Sequence, residues 1–188
     1  VFFLLVEKMG ERELAISNIV RSFYFVLMMP MWGFASATNT LVSFLIGAKR
    51  EGEVMSLVYK VMVLCLTGVG IMVIVGTIFP HEEVRIYTND LSLLEATVPV
   101  VYIVNVAALM LSANFIFFNA VSGTGKTNIS FLLEVITLIF YVSYIWFIIV
   151  VYEGTISVVW TSEWVYALLL GSMSFWYLKS GKWKGGVV

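Results

Sequence analysis

The chain has 188 residues, of which 61% are hydrophobic and 12% charged, with a formal net charge of −1; a soluble domain carries about 45–50% apolar and 25% charged residues. A large core accounts for the first figure but does not remove half the charges, whereas lipid as solvent accounts for both. The net charge says nothing about nucleic acid, but no basic cluster is long enough to track phosphates; a single cysteine (Cys65) excludes an intrachain disulfide, and with a single histidine (His81) it argues against a Cys/His metal site.

A helix crossing the hydrocarbon of a bilayer needs roughly 20 residues. In chain order, the first element is the apolar stretch Val1–Val6, which starts without an initiator Met and reads as a truncated helix, the chain itself as a fragment. Five full spans follow, over 14–48, 60–80, 96–122, 128–152 and 160–178. They rest on charge-free runs from Arg21 to Lys49, Lys60 to His81 and Glu95 to Lys126, and on two later runs broken only by Glu134 and Glu163. None alternates polar and apolar residues as a membrane barrel requires. The first full span begins near Glu13 or Leu14, which puts Arg21 one or two turns inside it, free to snorkel or to face a partner helix. Pro30 is expected to kink this span, Pro80 to end the next, and Pro99 to sit in an early turn of the third.

The turn "VSGTGKTN" at 121–128 ends like a phosphate-binding loop. That motif needs a glycine five residues before Gly125, and Ala120 stands there; it also needs a preceding short strand, whereas the residues before it are a long uncharged run. Gly123, Thr124 and Gly125 instead break a membrane helix, with Lys126 at the interface.

Orientation follows from Lys and Arg. Lys49, Arg50, Lys60, Lys126, Lys179, Lys182 and Lys184 fall in one set of connections, and Lys8, Arg12, Arg21 and Arg85 in the other. The richer set is expected in the cytoplasm, together with the C-terminus, and the acidic segment His81–Glu95 outside. Trp160 and Trp164 at one end of the last span, and Trp176, Tyr177 and Trp183 at the other, are expected as interfacial anchors.

Polar side chains at membrane depth are expensive unless paired or hydrated, so they locate function. Gly33, Ser36, Thr40, Ser43 and Gly47 form one small, hydroxyl-rich face with Asn39 beside it, either a close helix contact or a cavity wall. Asn105, Ser112 and Asn119 share a face of the third full span, for interhelical bonding or for a substrate cavity. Glu134, Thr137, Tyr141 and Tyr144 share a face of the fourth. Glu134 reads either as a carboxylate paired with a neighbouring cation near the interface or as a desolvated carboxyl able to exchange a proton or hold a cation. Glu163, bracketed by Trp160 and Trp164, reads as interfacial.

The segment "EKMGERELAISNIVRSFYFVLMMPMWGFASATNTLVSFLIGAKREGE" resembles the start of the second half of the multidrug and toxic compound extrusion (MATE) family. Pro30, Gly33, Ala37, Leu41-Val42 and Gly47-Ala48 fall where that family carries its proline, glycine and alanine pattern. "VSGTGKT" is similar to the turn after the fourth helix of that half, and "WTSEWVYALLLGSMSFWYLKSGKW" to the last helix of bacterial members. The resemblance implies an all-α polytopic bundle, the C-terminal six-helix half of a twelve-helix, two-bundle exporter in the bacterial inner membrane. It implies exchange of organic cations or amphipathic drugs for Na⁺ or H⁺ by alternating access, with no cofactor beyond the coupling ion. Some members place a coupling acid in the helix matching Val98–Ser122; this chain has none there, which leaves Glu134 as the available carboxylate of this half.

The expected cavity residues are therefore Asn39, Thr40, Asn105, Ser112, Asn119, Glu134 and Tyr141, and the expected partners are the small-molecule cargo, the bilayer and the missing N-terminal half. Two rivals remain. A lipid-linked precursor flippase of related architecture is expected to carry more cations in its cavity than Arg21. A non-transporting membrane scaffold leaves no signature of its own, and an intramembrane enzyme needs a nucleophile–base or metal constellation that the sequence lacks.

Overall fold

The structure, a computed structural model, describes residues 2–185; Val1 of the expected stub lies outside them. The described residues form α1 (Phe2–Val6), α2 (Glu11–Gly47), α3 (Val54–Ile78), α4 (Pro80–Arg85), α5 (Leu91–Gly123), α6 (Thr127–Trp146), α7 (Ile156–Trp160) and α8 (Ser162–Ser180). Among them there is no strand. Five stretches are long and apolar enough to cross a bilayer: Glu11–Gly47, Glu51–Ile78, Leu91–Gly123, Thr127–Val151 and Ile156–Ser180. The fold is the all-α polytopic bundle that the composition predicts.

The ends of these rods are set by local chemistry. Gly10, at φ 125°, turns the chain into α2, and Glu11 and Glu13 in the first turn favour the positive end of the helix dipole. The helix thus starts three residues before Leu14 and runs uninterrupted through Pro30. Pro80 follows the end of α3 and opens α4 at a first-turn position, where its missing N–H costs nothing. Asp90 caps α5: its Oδ1 accepts from the backbone N–H of Ser92 at 2.8 Å and of Leu93 at 3.4 Å. That cap starts the span at Leu91 rather than at 96 and places Pro99 deeper in it than expected. At the far end α5 stops at Gly123, and Gly125, at φ 78°, makes the turn into α6. The last span starts at Ile156 and is broken at Thr161 into α7 and α8.

The chain reverses at each connection, which gives the bundle two ends. One gathers Lys49, Arg50, Lys126, Lys182 and Lys184, and there the backbone N–H of Gly185 donates to Glu51. The other gathers residues 79–90 and 152–155, and there Arg12 donates to the backbone of Ser92. These are the lysine end and the acidic end below.

In lipid, apolar side chains gain little by leaving one apolar neighbour for another, so helices associate through close approach and cross-helix hydrogen bonds. α5 is the central mast. In its most apolar stretch 61% is buried inside the bundle, against 17% for α6, so α6 presents most of its surface outward. Small residues of α5 (Ala107, Ala108, Ala120, Gly123) are buried where neighbouring helices come close. At Gly123 the backbones come close: a Cβ there would stand 2.7 Å from the carbonyl oxygen of Asn39 on α2. Ser43 on α2 donates to the Gly123 carbonyl at 2.9 Å and closes the same contact.

Candidate functional site: a carboxyl–tyrosine network and a polar cleft

α6 and α8 lie side by side and run in opposite directions, which brings their acids and tyrosines into register. Ile139 is the middle residue of the span Thr127–Val151, and Leu168 that of Ile156–Ser180. Glu134 and Glu163 each lie five residues from those middles, about 7 Å along a helix axis. Glu134 is displaced toward the lysine end and Glu163 toward the acidic end. Two tyrosines fill the interval. Tyr166 donates to Glu134 Oε1 at 2.9 Å, Tyr141 donates to Glu163 Oε1 at 2.8 Å, and the two rings meet edge to face at 5.8 Å. Tyr24 of α2 donates to Glu163 Oε2 at 2.8 Å, which ties a third helix to the same carboxylate. Tyr144 shares a hydrogen bond with Thr161 at 2.8 Å, at the break between α7 and α8.

The two carboxyls are not equivalent. Glu163 accepts one phenol on each oxygen. A hydrogen bond to a charged group contributes about 1.5–3 kcal/mol, so two of them offset much of what removing the carboxylate from water costs. Glu134 accepts one phenol, and its Oε2 is buried without a hydrogen-bond partner. Neither acid has a Lys or Arg partner; among the described residues the ion pairs are Arg50–Glu53, His81–Glu95 and Arg85–Glu82, all at the bundle ends. Arg21, ten residues inside α2, sits over the ring of Phe3 on α1 at 4.8 Å.

Of the residues singled out in the sequence, Asn39, Thr40 and Asn119 come together. With Trp32, Ser36 and Phe115 they line a cleft of about 290 Å³ between α2 and α5. Thr40 donates to the Ser36 carbonyl at 3.1 Å and Asn119 to the Phe115 carbonyl at 3.0 Å, each within its own helix. The face Gly33, Ser36, Thr40, Ser43, Gly47 is exposed in this bundle, and its contact role is confined to Ser43. Asn105 and Ser112 join neither group. Asn105 is buried and donates to Thr77 of α3 at 3.2 Å, and Ser112 is buried and donates to the Ala108 carbonyl at 2.8 Å. Glu134 and Tyr141 share the network, linked through Tyr166 rather than directly.

The structure revises two readings. Glu163 is not an interfacial acid but the doubly bonded centre of the network. Trp160 and Trp164 are not membrane anchors: Trp160 is 3% exposed and donates to Ser17 at 3.2 Å, and Trp164 donates to the Ile103 carbonyl at 2.9 Å. At the lysine end Trp183 is buried as well, and Trp176 is the tryptophan presented outward. Sequence reasoning missed Tyr24 and Tyr166. The available signal was the stripe Glu134–Tyr141 on α6 matched by Glu163–Tyr166 on α8, the same pair of residue types in an antiparallel partner.

A search among curated proteins returns no match. The MatE family model matches residues 1–147, from α1 through α6, a stretch that includes Glu134, Tyr141 and the α2–α5 cleft. That match covers most of the chain and agrees with five helices able to span a membrane. The chain therefore belongs to the MatE family, integral membrane transporters that move small organic compounds.

Proposed function

We propose that this chain is the C-terminal six-helix half of a cation-coupled antiporter. It exports organic cations or amphipathic drugs in exchange for Na⁺ or H⁺ in a bacterial inner membrane, with its C-terminus in the cytoplasm. One observation carries the coupling: two carboxyls inside the spans have no cationic partner and are held by phenols alone, and one oxygen of Glu134 is left without any partner. That oxygen is where a proton or a Na⁺ docks. Loading it changes what Tyr166 and Glu134 offer each other, and so what holds α6 to α8. Tyr24 extends the same network to α2, so the charge state of the carboxyls biases how three helices sit together. A bundle that rocks against a second bundle needs such an element, whose two arrangements differ in free energy with ion occupancy.

The α2–α5 cleft supplies the cargo wall. Thr40 and Asn119 donate to the backbones of their own helices, and Trp32 and Phe115 offer ring faces to a flat or cationic compound. A flippase for an anionic lipid-linked precursor needs cations in its cavity; Arg21 is engaged with Phe3, and neither the network nor the cleft contains Lys or Arg.

The test is Glu134→Gln in the complete transporter reconstituted in vesicles. Efflux driven by an imposed Na⁺ or H⁺ gradient is expected to fall to background while expression and monodispersity stay unchanged. Undiminished gradient-driven efflux would reject Glu134 as the docking position.

A further inference from the structure

At the acidic end a second carboxyl has been left without a counter-ion. Glu83 lies on α4, outside the five spans, and its Oε2 is buried with no hydrogen-bond partner. The cations nearby are committed elsewhere: Arg85 pairs with Glu82 at 3.3 Å, and His81 faces Glu95 at 3.7 Å. The side chain is seated in a notch. A Cβ on Gly76 of α3 would lie 2.5 Å from Glu83 Oε2 and 3.4 Å from Asn105 Nδ2, so the carboxyl rests directly against the helix at this glycine. Asn105 is fixed by its bond to Thr77, and its Oδ1 also has no partner. Glu83 Oε2 and the Asn105 amide nitrogen thus lie against the same glycine, yet that nitrogen donates to Thr77 and the Glu83 oxygen stays without a partner.

In front of this carboxyl opens a cleft of about 450 Å³ between α2, α3 and α4. Its walls are Phe23, Leu27, Met72, Val75 and Phe79, and the polar side chains at its rim are Glu82 and Glu83. This volume lies within the range of small-molecule sites. Burial pushes the Glu83 carboxyl above the usual carboxylate range, as expected of an acid facing apolar walls with no cation beside it.

We propose that this cleft binds a hydrophobic ammonium, an ammonium group on an apolar chain, with Glu83 as its counter-ion. The ammonium supplies both what the carboxylate lacks, an opposite charge, and what its orphaned oxygen lacks, an N–H donor. The apolar chain lies along Phe23, Leu27, Val75 and Phe79, so the head is specified by charge and the tail by the wall. The same chemistry is found in the headgroup of an aminophospholipid and in a free alkylamine. The site does not depend on the reading of Glu134 and Glu163.

The complete protein in nanodiscs of phosphatidylcholine alone is treated with dicyclohexylcarbodiimide, and labelling of Glu83 is followed by peptide mass spectrometry. Glu83 is expected to be labelled, and dodecylammonium, but not dodecanol, to reduce that labelling by about tenfold, equivalent to 1.4 kcal/mol of protection. In nanodiscs containing phosphatidylethanolamine, labelling that is low from the outset assigns the site to the lipid headgroup; labelling that stays high until dodecylammonium is added assigns it to free amphiphiles. In parallel, dodecylammonium should raise the melting temperature of the wild type and not that of Glu83→Gln. Labelling insensitive to every ammonium, equal protection by dodecanol, or equal melting shifts in the two proteins would overturn the proposal. Running the same series in Glu134→Gln separates this result from any failure of transport.

Discussion

Where α6 meets α8, tyrosines bond across helices; in the α2–α5 cleft Thr40 and Asn119 bond back to their own. Tyr24, Tyr141 and Tyr166 each reach a carboxylate on another helix. Thr40 and Asn119 each return a hydrogen to the backbone one turn earlier. The difference follows from chemistry. A hydroxyl or an amide can satisfy its donor on a carbonyl of its own helix, so it can face a cavity at little cost. A carboxylate only accepts, and the N–H groups of its own helix are already bonded, so at this depth it must find donors elsewhere. On the proposed function the network is a joint whose geometry depends on charge, and the cleft is a wall whose geometry does not.

The largest effect expected from this contrast is on transport. Glu163→Gln replaces an acceptor-only centre by an amide, one end of which is a donor facing a phenol, and it fixes the charge at zero. Gradient-driven efflux of a fluorescent organic cation from vesicles should fall to background. Asn119→Ala, which removes a side chain bonded only to its own helix, should leave maximal efflux within roughly threefold, with its effect on half-saturation, as expected for a group that contributes uniform binding. If the two substitutions cost the same, the division into joint and wall is wrong.

Stability separates the regions next. Gly123 touches the Asn39 backbone, whereas a Cβ on Gly33, in the exposed face of the same α2, would meet nothing within 4 Å. Gly123→Ala should therefore lower stability by about 1–3 kcal/mol, the usual cost of overpacking a close contact. Gly33→Ala should be neutral or slightly stabilising, because alanine is the better helix former. Melting of the complete protein in detergent measures both. An equal response at the two glycines would mean that the α2–α5 crossing is looser than Ser43 and Gly123 indicate.

Much of the fold was legible because lipid imposes one rule, long uncharged rods with charges at their ends. Glu134 stood out for the same reason. What sequence could not supply was the register between rods. Glu163 looked interfacial because Trp160 and Trp164 flank it; only the antiparallel seating of α6 against α8, and of α2 beside them, shows that three tyrosines converge there and that both tryptophans turn inward. The stripe Asn105–Ser112–Asn119 is divided between the two roles its sequence left open. Seven-residue spacing puts all three on one side of α5, but that side passes from α3 at Asn105 to the α2 cleft at Asn119 along its length. The early start of α5 was legible and overlooked: "NDLS" places Asp90 where a helix cap belongs.

The smallest and most local test follows from that split stripe. Asn119 borders the cleft between α2 and α5, whereas Asn105 is 2% exposed and Ser112 fully buried behind it. Cysteines placed singly at these positions, with Cys65 replaced by alanine, should differ in reaction with a membrane-impermeant thiol reagent. Position 119 should react in at least one transport state, while positions 105 and 112 should react about tenfold more slowly or not at all, because a thiol must be both hydrated and ionised to react. Added substrate should protect position 119 and leave the slow rates unchanged. Equal reactivity at all three would show a continuous hydrated face on α5 and would extend the cavity wall to Thr77 on α3, whereas protection of all three in every state would return Asn119 to helix packing and leave Asn39 and Thr40 as the polar lining of the cleft.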